Sequence, residues 1–269
     1  MGMVGESTIE RPIALANERP NGITIKSPDE LDLMREAGRV VAEVKALIAA
    51  AIRPGVTTEN LDAIAENAIR AAGATPSFKG YLGYPASICT SINEEIVHGI
   101  PSARVLNDGD LLSVDVGAIV DGLHADSAFS VGVGGVTRET ADLMDATREA
   151  LLRGIEQVKI GARIGDISAA VQAYAEGKGY TLVRQYVGHG IGYAMHEDPS
   201  VPNFGVAGRG PLLKEGMAIA IEPMLNLGTW KTEVLDDEWT VVTADGRRSA
   251  HFEDTVLVTE NGPVVTTAL

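Results

Sequence analysis

Residues 108–132, DGDLLSVDVGAIVDGLHADSAFSVG, hold two apolar runs on either side of the dipeptide Asp121-Gly122. Runs of this kind, rich in Val, Ile and Leu, are typical of buried strands, and Asp-Gly between two of them favours a tight turn. The stretch therefore predicts an antiparallel hairpin with strands over residues 110–120 and 126–133. Each strand carries an aspartate, Asp115 or Asp126, where an unpaired buried charge is costly.

The hairpin has a counterpart in the second half of the chain. The segment DGDLLSVD at 108–115 resembles EGMAIAIE at 215–222, and HADSAFSV at 124–131 resembles HFEDTVLV at 251–258. Chance similarity is one explanation of these matches. Because they come in the same order in both halves, we favour an internal repeat.

Apolar periodicity adds two helices ahead of each set of strands. Capping residues and terminal glycines place the helices at 28–52, 57–73, 137–161 and 164–179. Further strands are expected at 86–92, 181–186, 217–221 and 255–258. The pattern predicts an α+β fold with two pseudo-symmetric halves, in which helices back antiparallel sheets. We expect a poorly ordered leader at 1–22 and one domain over 23–269, with halves at about 28–134 and 135–262.

The composition limits the kind of protein and its partners. The chain has 269 residues, of which 45% are hydrophobic and 22% charged, and its net charge is −15. These values are typical of a globular protein and argue against a phosphate-binding basic surface for nucleic acid. No apolar run is long enough for a membrane span, and the N-terminus lacks a secretory signal pattern. The single cysteine, Cys89, excludes an internal disulfide and fits a reducing compartment such as the cytoplasm.

The repeat places carboxylates at matching positions of the two halves. Asp115 and Glu222 end apolar strands, and Asp126 and Glu253 lie on the strands that follow. A salt bridge or a turn cap would explain one isolated aspartate of this kind. Four carboxylates that converge would repel one another unless cations lay between them. With one imidazole added, the set suits two divalent transition metals and hydrolytic chemistry.

Two of the five histidines lie in YVGHGIGYAMHED, residues 186–198. His189 and His196 are seven residues apart, a spacing that lets neither a helix nor a strand direct both rings at one metal. We therefore expect separate roles for them. Glycines on both sides of His189 allow close backbone approach and make it the candidate ligand, with a structural role as the alternative.

Five segments carry a resemblance to a known family. They are CTSINEEIVHGIP at 89–101, VDVGAIVDGLHADSAFSVG at 114–132, GHGIGYAMHEDP at 188–199, AIEPM at 220–224 and HFEDTVLVT at 251–259. Together they resemble the successive signatures of the type I methionine aminopeptidases, which are dinuclear metallohydrolases with the pita-bread fold. The resemblance extends from about residue 23 to residue 266. It implies hydrolytic removal of the N-terminal methionine from peptides and nascent proteins whose second residue is small.

The family pattern assigns metal ligation to Asp115, Asp126, His189, Glu222 and Glu253. By this resemblance, Asp126 and Glu253 bridge two divalent ions, and a metal-activated hydroxide attacks the first peptide carbonyl. The ligand set would accept Co, Mn, Fe, Zn or Ni, so the sequence leaves the physiological metal open.

The resemblance also implies the remaining catalytic roles. Glu222 is expected to shuttle a proton, and His98 and His196 to contact the substrate and the tetrahedral intermediate. From the residues alone, His98 would be a turn residue and His196 a helix cap.

A pocket for the methionine side chain is implied as well. Its expected residues are Tyr81, Tyr84, Cys89, Met195 and Trp239. Aromatic and sulfur groups suit a thioether through their shape and polarisability. Ordinary core packing is the alternative for Cys89 or Trp239 taken singly.

Two positions depart from the family pattern. Asp254 stands where histidine is common, which changes a hydrogen bond beyond the ligands. Met195 stands where many members have phenylalanine, which alters the shape of the pocket more than its chemistry.

Two rival functions share the same residues. One is a prolidase or Pro-specific aminopeptidase of the same superfamily, which usually carries a long additional N-terminal domain. The other is a binding module with the same fold and no metal, in which lost ligands would be expected.

For the favoured function, the expected partners are methionyl peptides and nascent chains, without membrane or nucleic-acid contact, and the protein is expected to be a cytoplasmic monomer. Contact between residues 1–22 and the ribosome is left open.

Overall fold

The computed structural model describes residues 22–268, so the leader expected at residues 1–22 lies almost wholly outside the described part of the chain. The helices are α1 (Pro28–Ala51), α2 (Thr58–Ala71), α3 (Arg138–Ile155) and α4 (Ile164–Gly177). The strands of the first half are β1 (Thr75–Pro76), β2 (Ile88–Ile92), β3 (Glu95–Val97), β4 (Leu111–Val120) and β5 (Leu123–Gly132). Those of the second half are β6 (Thr181–Leu182), β7 (Gly188–Gly190), β8 (Glu197–Val201), β9 (Ala218–Ile221), β10 (Met224–Asn226), β11 (Thr232–Val234), β12 (Val241–Thr243), β13 (Ser249–His251), β14 (Asp254–Thr259) and β15 (Gly262–Val265).

The strands form four antiparallel sheets within residues 22–268. In the first sheet, β4 pairs with β5 and also with β2 and β1. The largest sheet has the order β15-β14-β9-β7-β8. Two three-stranded sheets have the orders β13-β10-β6 and β11-β12-β3. Because β3 belongs to the first half and β11 and β12 to the second, one of these sheets joins the halves.

The hairpin predicted from the opening stretch is confirmed. β4 and β5 pair from Val120↔Leu123 to Leu111↔Gly132, with Asp121 and Gly122 as the two turn residues. Both turn residues have positive φ, 46° and 82°, as a type I′ turn requires. The return strand begins at Leu123, three residues before the predicted start, because the two-residue turn lets pairing begin at once.

Helix α1 begins where its capping residues predict. The Ser27 hydroxyl accepts from the backbone N–H of Glu30, and the Glu30 carboxylate accepts from the backbone N–H of Ser27. This reciprocal pair satisfies two donors that a helix start leaves free. None of the four helices between residues 22 and 268 has the length and apolar character needed to cross a membrane.

Two predicted boundaries were wrong. Helix α3 ends at Ile155 and not at 161, because Gln157 and Val158 donate to the carbonyls of Gly154 and Ile155 in tight turns. Val158 is buried there, so the apolar pattern continues through a turn. The strand expected over 181–186 pairs only at Thr181–Leu182. The other predicted strands and helices agree with the structure to within a few residues at their ends.

The same layering occurs twice along the chain. Residues of α1 and α2 share one apolar core with β2, β4 and β5. Residues of α3 and α4 pack against the second half, on β6, β9, β10, β13 and β14. Each pair of helices thus covers the sheets that follow it in the chain.

The halves meet where β5 crosses the start of β14. The Ala128 N–H donates to the Glu253 carbonyl (3.2 Å), and the Glu253 N–H donates to the Ala128 carbonyl (2.9 Å). Beside them, the Thr255 hydroxyl donates to the Asp126 carbonyl (2.8 Å) and accepts from the Asp126 N–H (3.0 Å). This contact between the repeated segments places Asp126 and Glu253 side by side.

Two helical glycines provide a test of the packing of α1 on the C-terminal residues. A Cβ on Gly38 would lie 2.4 Å from the Thr266 carbonyl oxygen, whereas a Cβ on Gly177 would meet nothing within 4 Å. Alanine normally stabilises a helix relative to glycine by up to about 1 kcal/mol. We expect Gly177→Ala to be neutral or stabilising by this amount, and Gly38→Ala to destabilise by about 1–3 kcal/mol through overpacking. Urea unfolding measures both; an equal effect of the two substitutions would contradict the close contact.

Candidate active site

The five predicted ligands come from both halves of the chain. Asp115 lies on β4, Asp126 on β5 and His189 on β7, while Glu222 follows β9 and Glu253 precedes β14. Within residues 22–268, the ligand atoms of Asp126, His189 and Glu253 lie within 4.8 Å of one another. His189 Nε2 is 3.8 Å from Asp126 Oδ2 and 3.7 Å from Glu222 Oε1. The structure therefore brings these residues into one cluster, although they are far apart in sequence.

Asp115 belongs to the same cluster through its charge. Burial raises the pKa of Asp115 to about 7 and that of Glu222 to about 8. Burial also raises the pKa of Asp126 and of Glu253 well above the usual range, and the Asp115 charge adds to both shifts. Anions held together away from water repel one another and favour either protons or metal cations between them.

Unsatisfied polar atoms indicate whether the cluster suits protons or metal cations. Asp115 Oδ1 and Glu253 Oε1 are buried and have no hydrogen-bond partner among the described residues. Buried polar atoms are rarely left in this state. His189 Nδ1 lies 2.9 Å from the Gly190 carbonyl oxygen, and its Nε2 is the nitrogen nearest the carboxylates. Carboxylate and imidazole donors arranged in this way fit divalent metal.

His251 borders the cluster, and the sequence did not single it out. Its Nε2 lies 4.0 Å from Glu222 Oε2 and 4.0 Å from Glu253 Oε2. Burial lowers the pKa of His251 to about 3, so the ring is neutral at pH 7. The repeat gave a signal, since His124 and His251 each precede a predicted ligand by two residues. His124 instead contacts the Ser77 hydroxyl (3.1 Å), so the two positions are not equivalent.

His196 and His98 are half-buried and lie beside the cluster. The ring centroids of His196 and His189 are 4.4 Å apart, and the Tyr81 hydroxyl is 2.9 Å from His196 Nδ1. The His98 ring is edge-on to Trp239, and burial lowers its pKa to about 4. His196 caps no helix, because strand β8 follows it directly. His98 has a positive φ of 62°, as a turn residue does, and its ring still faces the same region.

The five residues predicted for a side-chain pocket pack together. Tyr81, Tyr84, Cys89, Met195 and Trp239 form one apolar cluster. The Tyr84 hydroxyl donates to the carbonyls of Ile88 (3.1 Å) and Gly99 (3.0 Å), which fixes the ring against Trp239. Three further members, which sequence reasoning missed, are Phe78, Ala86 and Ile100. Since residues of this cluster also contact His196 and His98, the apolar cluster adjoins the carboxylates.

Comparison with known proteins agrees with this geometry. The family model of metallopeptidase family M24 matches residues 32–260. Methionine aminopeptidase 1 of Mycobacterium tuberculosis is 51% identical over 264 residues, covering 96% of this chain and 99% of that protein. The chain belongs to the methionine aminopeptidases of family M24. The crystal structure of methionine aminopeptidase from Thermotoga maritima matches 92% of this chain and all of its own, with 42% identity and a TM-score of 0.91. The pita-bread fold implied by the sequence resemblance is thereby confirmed.

A more distant solved structure is similar in fold. Prolidase from Pyrococcus furiosus matches 91% of this chain with a TM-score of 0.75, at 23% identity. This chain covers 65% of that protein, so the prolidase is the longer of the two. Greater length is expected of a prolidase, which usually carries an additional N-terminal domain. At this identity the likeness concerns architecture and not activity.

One departure from the methionine aminopeptidase pattern has a structural explanation. Asp254 accepts hydrogen bonds from the hydroxyls of Ser127 (3.1 Å) and Thr267 (2.7 Å). Lys45 of α1 lies 3.7 Å from Asp254 and donates to the Ser127 hydroxyl at 2.5 Å. A lysine–aspartate pair thus stands behind Glu253, and the Lys45 ammonium is also attracted by the charges of Glu253 and Asp115.

Lys45 therefore opposes the charge of the carboxylate cluster when no metal is bound. We expect Lys45→Met to destabilise the metal-free protein and to tighten divalent-metal binding on the order of tenfold, because a nearby positive charge is removed. Isothermal titration with Mn²⁺ and thermal unfolding in chelator measure the two effects. The exposed lysine Lys159 provides the control, Lys159→Met. Weaker metal binding by Lys45→Met would show that its hydrogen bond to Ser127 outweighs its charge.

Proposed function

We propose that this chain hydrolyses the peptide bond after an N-terminal methionine, at a centre of two divalent metal ions. The observation that carries the proposal is a buried carboxylate–histidine cluster that adjoins an apolar pocket containing sulfur and aromatic groups. The ions would be held by Asp115, Asp126, His189, Glu222 and Glu253. The contact between β5 and β14 brings Asp126 and Glu253 together, so both carboxylates would contribute oxygen atoms to the metal centre.

Divalent ions at such a centre supply a hydroxide nucleophile at neutral pH and polarise the carbonyl that it attacks. Glu222 holds the proton released by the nucleophile and delivers it to the leaving amine. Its position supports this role, since it is half-buried at the edge of the cluster and its Oε1 lies 3.7 Å from His189 Nε2.

The histidines act on the substrate and not on the metal. Tyr81 holds His196 at Nδ1, so that the opposite nitrogen of the ring donates to the carbonyl oxygen as negative charge develops on it. His98, across the pocket and packed against Trp239, contacts the nitrogen of the scissile amide. Both roles require a fixed ring, which these neighbours provide.

The apolar cluster provides the specificity. Met195 and Cys89 bring sulfur, and the rings of Tyr84 and Trp239 bring polarisable surface, to the place where a thioether would lie. Such a pocket discriminates weakly by methylene count. The preference for a small second residue arises instead from steric crowding beyond the metals.

The remaining features of the proposal concern the whole protein. Residues 23–269 act as one catalytic domain built of two related halves, and the protein works as a cytoplasmic monomer on free peptides and nascent chains. Its retained ligand set favours an enzyme over a metal-free binding module. The high identity to methionine aminopeptidases favours it over a prolidase.

Loss of a metal ligand is the first test of the proposal. We expect His189→Ala and Glu222→Ala to lower kcat/KM for Met-Ala-Ser by at least about a thousandfold, because each removes a ligand and Glu222→Ala also removes the proton shuttle. Release of free methionine is the measurement, and the exposed Glu233 of β11 provides the control Glu233→Ala. Chelation should abolish wild-type activity, and one or more of Fe, Mn, Co, Zn and Ni should restore it. Retained activity in both ligand variants would overturn the site.

The pocket is tested through substrate preference. Trp239→Ala should raise KM for Met-Ala-Ser about tenfold or more, because it removes a large apolar wall that packs on Tyr84 and His98. The wild-type protein should release methionine from Met-Ala-Ser and leave Xaa-Pro dipeptides intact. The reverse preference would support the prolidase alternative.

A further inference from the structure

A buried ion pair lies directly beside the loop that carries His196. Lys26 Nζ is 2.8 Å from Glu197 Oε2, and the two side chains are only 1% and 0% exposed. Glu197 follows His196 in the chain and is the first residue of β8, whereas Lys26 lies just ahead of α1. The pair therefore connects the N-terminal segment to the substrate-facing side of the site.

The pair bonds to the loop at two points. Lys26 Nζ donates to the carbonyl of Ile191 (2.6 Å), two residues after His189. Glu197 Oε1 accepts from the backbone N–H of Ala194 (3.1 Å). Residues 191–196, which we call the His196 loop, are thus held by one cation at their start and by one anion near their end.

Further contacts join the same two segments. The Thr24 hydroxyl donates to Glu197 and accepts from Lys26 Nζ, and Ile23 forms a parallel bridge with Asp198. The hydroxyl of Tyr193, in the His196 loop, donates to the carboxylate of Glu30 (2.8 Å). We call residues 23–30 the N-terminal brace, since three of its side chains bond to the loop or to Glu197.

The shape of the loop depends on the close contact between Lys26 and Gly192. A Cβ on Gly192 would lie 2.2 Å from Lys26 Cε, so the lysine stem occupies the space that a side chain would need. The Gly192 carbonyl accepts from the backbone N–H of His124 (2.7 Å). The loop is therefore clamped between the brace on one side and β5 on the other.

Stability alone does not account for a buried ion pair. Removing two charges from water is costly, and well-packed apolar side chains of similar size often stabilise a protein as much or more. What the charges add is direction, because Lys26 Nζ donates to the Ile191 carbonyl and Glu197 Oε1 accepts from the Ala194 N–H, both in the loop. Met195 and His196 are the two residues between the anchored Ala194 and Glu197.

We propose that Lys26 and Glu197 are positioning residues for the reaction: they fix the His196 loop so that His196 meets the substrate and Met195 lines the pocket. They touch neither the substrate nor the metals. The inference rests on the proposed function, because it assigns to His196 a role in the reaction.

The test is a double-mutant cycle that separates positioning from folding. Breaking one member of a buried pair strands a charge, so the main variant replaces both, Lys26→Met with Glu197→Met. We expect this variant to fold, to bind Mn²⁺ as the wild type does, and to lose at least tenfold in kcat for Met-Ala-Ser. In a His196→Ala background the same double replacement should change the residual kcat less than twofold, because it acts through His196. The exposed pair of Arg39 and Glu43 on α1 provides the control Arg39→Gln, with wild-type kcat.

A milder variant keeps the test decisive if the double replacement destabilises the fold. Thr24→Val removes the hydroxyl that bonds to both partners without stranding a lone charge, and it should lower kcat about threefold with unchanged Mn²⁺ binding. Wild-type kcat in these variants, or losses that multiply fully with His196→Ala, would overturn the inference. Failure of the proposed function is a different result, since the wild-type protein would then release no methionine.

Discussion

The repulsion among four carboxylates, two buried and two half-buried, is the constraint on which the rest of the structure depends. Burial raises the pKa of each of them, and Asp115 adds its charge to the others. A chain that places such groups together must hold them against their preference to separate. It does so by placing each one on, or directly next to, a different strand of the two packed halves.

The support around the cluster follows from the same constraint. Lys45 and Asp254 stand behind Glu253, and Ser127 donates to the Glu253 carbonyl at 2.5 Å. His251, neutral because it is buried, lies between two of the carboxylates without adding a charge. Cations and neutral donors are thus distributed so that the cluster is tolerated and remains open to divalent metal. The charges of the fully buried pair Lys26 and Glu197 have a different effect, because they fix the path of the His196 loop.

The internal repeat predicted the four carboxylates of the cluster, whereas several side chains that surround them were missed. Asp115 and Glu222, and Asp126 and Glu253, were found because equivalent strands of two halves carry them. The hairpin was found because Asp121-Gly122 specifies a turn type. The pocket residues and the roles of His98 and His196 came from family resemblance, since their spacing favours no geometry. Lys45 and Lys26 could not be found, because each meets its partner across more than 100 residues of sequence and neither lies in a motif. The end of α3 was missed because the buried Val158 continues an apolar pattern after the helical hydrogen bonds have changed.

The contacts of Thr266 and Thr267 have a consequence for how the chain tolerates changes near its C-terminus. Thr266 packs against the glycine face of α1, and Thr267 donates to Asp254 behind a predicted metal ligand. Both threonines are buried. Surface termini usually tolerate deletions and fusions because little rests on them. Here a deletion that removed residues 266 and 267 would remove the contact with Gly38 and the hydrogen bond to Asp254, the neighbour of Glu253, and would therefore disturb the carboxylate cluster.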